Sequence, residues 1–87
     1  MTLDEIEDKL SDNPISYGSV PASTIAELQG YVTVALEMDK ATQDYYYQIR
    51  VDDLVGSKMP TQVLDDLRAD GWAFNPEHDA IRLFLKS

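Results

Sequence analysis

No cysteine occurs in these 87 residues, which removes disulfides, thiol nucleophiles and cysteine-ligated zinc together. No apolar run approaches the roughly 20 residues that a bilayer-spanning helix needs, so no membrane association is expected. Histidine occurs once, as His78. No glycine-rich phosphate loop, G-x-S-x-G, H-E-x-x-H or EF-hand spacing is present, and the serines at 11, 16, 19, 23, 57 and 87 have no local base. Positive charge is scarce too: seven Lys and Arg stand against sixteen Asp and Glu, a formal −9. Such a field repels nucleic acid and anionic membranes and favours basic partners. Solubility or a salt-rich habitat is the plainer account of the same surplus.

What is present suffices for one small domain spanning residues 1–87. The 44% hydrophobic content can build a core, although a chain of this size buries only about 60–65% of its unfolded surface. The start, MTLDEIEDKL, is acidic and amphipathic, unlike a secretory signal or transit peptide, and a cytoplasmic protein is expected.

Thr2-Leu3-Asp4-Glu5 is a capping box. Leu3, Ile6 and Leu10 follow as one apolar stripe, with Glu5 and Lys9 at i,i+4. Ser11-Asp12-Asn13-Pro14 ends that helix, since a residue before proline leaves helical geometry. Residues 14–22 read as a loop, and Ser23 or Thr24 can cap a second helix with Ile25 and Leu28 inward. Two templates then compete. Ile25, Leu28, Val32, Ala35 and Leu36 fit one long helix, whereas Val32, Val34, Leu36 and Met38 fit a strand. Gly30 and the β-branched run after it favour a helix to Gln29 and a strand from Tyr31.

Residues 39–44 form a hairpin loop, and Tyr45 to Val51 is the clearest strand, aromatic and β-branched. Tyr45, Tyr47, Ile49 and Val51 share one face; Tyr46, Gln48 and Arg50 share the other. Residues 52–58 lead into a helix starting at Pro60, with Val63, Leu64 and Leu67 on one side and Gly71 as a left-handed stop. Trp72 and Phe74 begin a strand, residues 75–79 turn, and Ile81, Leu83 and Leu85 alternate back. The result is an α+β fold: two to three short helices on an antiparallel sheet of about four strands (two hairpins), in the order α-α-β-β-α-β-β.

The second sheet face is expected to carry Tyr31, Thr33, Glu37, Tyr46, Arg50, Arg82 and Phe84. Aromatics and arginines dominate binding hot spots, so Tyr31, Tyr46, Arg50 and Phe84 are candidate partner-binding residues unless the first helix covers them. A second candidate set is acidic. Asp66 and Asp70 are like charges at i,i+4, and Asp70 lies in the last helical turn, where the helix dipole disfavours an anion. Only Arg68 offsets them. Acids set against their own helix point to use elsewhere, and Asp65, Asp66, Asp70, Glu77 and Asp79 are expected to form a ridge for a basic partner.

Neither catalysis nor a cofactor is expected. Metal ions need converging ligands, and Glu77, His78 and Asp79 are neighbours on a turn. Asp52 with Asp53, Asp65 with Asp66, and Glu7 with Asp8 diverge rather than face each other across a cleft, as acid–base work requires. VLDDLRADGWAFNPEHDAIRLFL resembles the last helix and wing of winged-helix domains over about a quarter of the chain. In that family the helix and wing that meet DNA are basic, whereas Asp65, Asp66, Asp70, Glu77 and Asp79 here repel phosphates.

Three functions compete. The first is an acidic interaction module, in its sharpest form a small inhibitor of phage or mobile-element type that blocks a basic, nucleic-acid-handling partner by charge mimicry. The second is an assembly subunit, homo-oligomers included, that uses the aromatic face or a free edge strand. The third is single-strand nucleic-acid binding by stacking on Tyr31, Tyr46 and Phe84, which the net charge opposes.

Overall fold

The computed structural model describes residues 1–13, 17–18 and 22–85. Thr2 starts helix α1 (Leu3–Leu10) as expected: its hydroxyl accepts the Glu5 N–H at 3.2 Å, and Glu5 accepts the Thr2 N–H at 2.9 Å. Glu5 is thereby held at the cap and does not pair with Lys9, which reaches Asp65 instead. The apolar stripe narrows to Ile6 and Leu10, both fully buried, because Met1 rather than Leu3 packs on the core at that end.

The helix stops at Leu10 with Ser11 as its C-cap. Of the expected loop, residues 14–16 and 19–21 lie outside the described residues. Tyr17–Gly18 (β1) pairs in parallel with Phe84 and Leu85. Helix α2 spans Ala22–Gln29, so Ser23 and Thr24 lie inside its first turn rather than capping it. The expected strand from Tyr31 begins at Ala35 instead. The Tyr31 and Val32 N–H groups still donate to the Leu28 carbonyl, at 2.9 and 3.0 Å. Helical register therefore runs on far enough to bury Val32 beside Ile25 and Leu28, and the strand template holds only for β2 (Ala35–Met38).

Strand β3 (Tyr45–Arg50) follows, one residue shorter than expected. Val51 opens a further helix, α3 (Val51–Gly56), where a connector was expected. Asp52 and Asp53 fill its first turn, where the dipole favours acids, and Val51 and Leu54 bury at i,i+3. Helix α4 (Val63–Asp70) starts three residues after Pro60, whose carbonyl accepts the Val63 N–H in the preceding turn. Gly71, at φ 105°, ends it. The Trp72 N–H reaches Leu67 and the Gly71 N–H reaches Arg68, the paired bonds of a left-handed cap that a Cβ would strain.

Trp72 is fully buried in the link, ahead of β4 (Ala73–Asn75) and β5 (Ala80–Leu85). The order matches the expected α-α-β-β-α-β-β, with α3 and the two-residue β1 added. The β4–β5 hairpin is not a free wing. β5 pairs antiparallel with β3, and β3 with β2, while β1 and β4 share the far side of β5. Ile49, Ile81 and Leu83 of the sheet join Ile6, Leu10, Leu54, Leu64 and Leu67 of the helices in one buried cluster. The helices therefore lie on one sheet face, and α1 does not cover the other. No described helix is long and apolar enough to cross a membrane.

Candidate functional site

Helix α4 divides the acidic candidates. Asp65 turns toward α1 and meets Lys9 at 2.8 Å. Arg68 faces the same way: its guanidinium donates to Asp12 Oδ1 at 2.7 Å and to the Lys9 carbonyl. These contacts hold the Asp12 carboxyl below its ordinary range and raise the Lys9 ammonium. Asn13, between them, donates to the Arg68 carbonyl at 3.0 Å and the Trp72 carbonyl at 2.6 Å. Arg68, the expected offset for Asp66 and Asp70, is thus committed elsewhere.

Asp66 and Asp70 open onto a cleft of about 440 Å³ between α4 and α2. The α4 wall is Val63, Asp66, Leu67 and Asp70; the α2 wall is Thr24, Glu27, Leu28 and Tyr31, with Met59 and Pro60 between them. Each wall repeats the spacing i, i+3, i+4, i+7, which is one face of a helix. Burial pushes the Asp70 carboxyl up, and the Asp66 charge one turn away adds to it. No described cation pairs with Glu27, Asp66 or Asp70; the ion pairs among the described residues are Lys9–Asp65 and Arg68–Asp12.

Glu77 and Asp79 sit apart from these, in the exposed β4–β5 turn. Asp79 takes the left-handed conformation there (φ 49°), and its carbonyl accepts the Val51 N–H at 2.9 Å, joining the turn to the start of α3. The Glu77 N–H donates to Asn75 Oδ1. The five acids accordingly fall into three places: a paired flank, a cleft and a turn. His78 is exposed in that turn, and no group of three or more His, Asp or Glu side chains that could hold a metal ion occurs among the described residues.

The aromatic set separates as well. Tyr31 and Thr33 are not on the sheet face, because β2 starts after them; Tyr31 instead stands at the mouth of the cleft, half exposed. Glu37, Tyr46 and Phe84 are cross-strand neighbours, as are Gln48 and Arg82. Tyr46 donates to Glu37 at 3.0 Å, lies 5.3 Å from the Phe84 ring and has the Arg82 guanidinium 4.4 Å above it. Arg82 is fixed in turn by Gln48 at 2.7 Å. Tyr46 is only 6% exposed on a face that carries no described helix, and burial followed by the Glu37 bond raises its phenol pKa. Arg50 is exposed at the end of β3. Tyr31, Tyr46 and Phe84 do not form one stacking platform.

Three exposed apolar side chains collect elsewhere. Leu36, Met38 and Tyr45 are 55, 47 and 54% exposed on the helix-bearing face, beside the outer edge of β2, which among the described strands pairs only with β3. Glu27 and Leu28 of the cleft, and this edge patch, were not among the sequence candidates. The repeated i, i+3, i+4, i+7 spacing was the available signal for the cleft. The chain matches no protein-family model, no curated protein and no solved structure.

Proposed function

We propose that this chain is a non-enzymatic interaction module of the cytoplasm that binds a protein with a basic surface. The observation that carries the reading is the distribution of charge around α4. Lys9 and Arg68 are used in internal pairs, while Asp66, Asp70 and Glu27 border an open cleft without a described cation. The formal −9 adds a long-range field that steers basic partners. Its sharpest form is a small inhibitor, of phage or mobile-element accessory type, that occupies the nucleic-acid groove of its target. The test is capture from nuclease-treated native extract on immobilised chain, followed by affinity measurement with the purified partner. A nucleic-acid-handling protein released as ionic strength passes about 0.15 M, where screening falls to about 8 Å, and lost with the D66K/D70K double variant is the expected result. A partner whose affinity ignores both salt and charge reversal rules the reading out.

A second reading, assembly through the β2 edge, is favoured by the exposed Leu36, Met38 and Tyr45 beside an edge that pairs with no described strand. Unpaired edges with apolar neighbours invite strand addition. It predicts a salt-resistant oligomer that Leu36→Lys dissolves, measured by sedimentation.

A further inference from the structure

We propose that the cleft between α2 and α4 seats an amphipathic helical segment of the partner, with apolar residues on the cleft floor and arginine or lysine at its rim; this rests on the reading of the chain as a binder of basic proteins. The floor is already built. Leu28, Met59 and Leu67 belong to the buried core and need no rearrangement to receive an apolar side chain. Val63, partly buried, extends that floor along α4.

The rim is acidic on both sides, with Glu27 on α2 and Asp66 and Asp70 on α4. Residues four apart on a helix have Cβ atoms about 5–6 Å apart, so one guanidinium laid along α4 reaches both aspartates. A cation arriving there relieves the repulsion between them and supplies the counter-charge that Arg68, turned to Asp12, does not. At about 440 Å³ the cleft has the capacity for a few side chains rather than a whole domain. Two facing helical walls match the mode in which an amphipathic helix lies in a groove. A second copy of this chain is a poor occupant, because it brings the same −9 charge.

The test uses the full 15N-labelled chain and two synthetic probes of equal positive charge: a helical peptide with leucine and arginine on one face, and an oligo-arginine without apolar residues. The leucine–arginine peptide is expected to shift the amides of Leu28, Tyr31, Val63 and Leu67 saturably, and to bind at least about tenfold more tightly than oligo-arginine. The D66N/D70N double variant, which removes two like charges from an exposed rim, is expected to weaken that peptide roughly tenfold. Salt-sensitive binding that leaves the cleft amides unmoved, or ignores D66N/D70N, overturns the cleft while the basic-partner reading stands. If neither probe binds and extract capture yields no salt-released partner, both fall.

Discussion

Helix α4 puts the charged side chains of its two flanks to opposite use. Toward α1, Asp65 and Arg68 meet Lys9 and Asp12, and Asn13 closes two carbonyls at the helix end. Toward α2, Asp66 and Asp70 meet only the cleft. Eight residues thus carry one surface satisfied within the fold and another left for something outside it. Exposed pairs such as Lys9–Asp65 add little to stability. Their significance on the first flank is that they take the nearby cations away from the second.

The largest expected difference lies between one side chain beside each flank. Ile6, fully buried, fastens α1 to the core, and Ile6→Ala is expected to cost about 2–5 kcal/mol by chemical denaturation. Tyr31, the half-exposed counterpart on the cleft side, is expected to change stability by less than about 0.5 kcal/mol on Tyr31→Ala. Equal losses at the two positions mean that the Tyr31 ring is packed as tightly as the core and that the cleft is not an open surface.

Asn13 gives the next largest effect. Its amide is the side-chain donor to both the Arg68 and the Trp72 carbonyls, in a partly buried setting. Removing it leaves those acceptors without that donor, and Asn13→Ala is expected to cost about 1–3 kcal/mol. Asn13→Asp discriminates further, because a carboxylate cannot donate to a carbonyl and adds an anion at the negative end of α4. It should be at least as damaging near neutral pH. A harmless Asn13→Asp removes the claim that this flank is closed by hydrogen bonding.

These features differ in how far they could be read along the chain. The Thr2–Glu5 box, the Gly71 stop and the Tyr45–Arg50 strand are decided within a few residues, and each formed as its local chemistry requires. Helix α3 was hidden because six residues give periodicity almost nothing to repeat; only Asp52 and Asp53 ahead of Leu54 marked it. Tyr31 went to the wrong surface because helix and strand templates overlap at Val32, and the helical one won there through packing with Ile25 and Leu28. Arg68 stands between Asp66 and Asp70 in sequence and pairs with Asp12, 56 residues away. Likewise, the stripes at 24, 27, 28, 31 and 63, 66, 67, 70 are visible singly, but their facing each other is decided by the common core into which both helices bury their leucines.

Asp70 offers the smallest and most diagnostic change. Burial first, and the Asp66 charge second, raise its carboxyl pKa in the folded chain above the unfolded value. The folded state therefore binds more protons between those two values, and stability falls as pH rises through that window. Above both values the ionised carboxylate weighs on the fold in full; below both, Asp70 is protonated in either state and the penalty is gone. Asp70→Asn is accordingly expected to stabilise at neutral pH by about 0.5–1.5 kcal/mol, the sum expected for a like-charge i,i+4 pair and an anion at a helix C-terminus. The gain should shrink with added salt and vanish at acid pH. Asp65→Asn removes an acid that Lys9 already neutralises and should give no such gain. If the two substitutions change stability alike at every pH of the series, the flanks of α4 are electrostatically equivalent. If only Asp70→Asn stabilises, the cleft carries an electrostatic cost that a basic partner is suited to relieve.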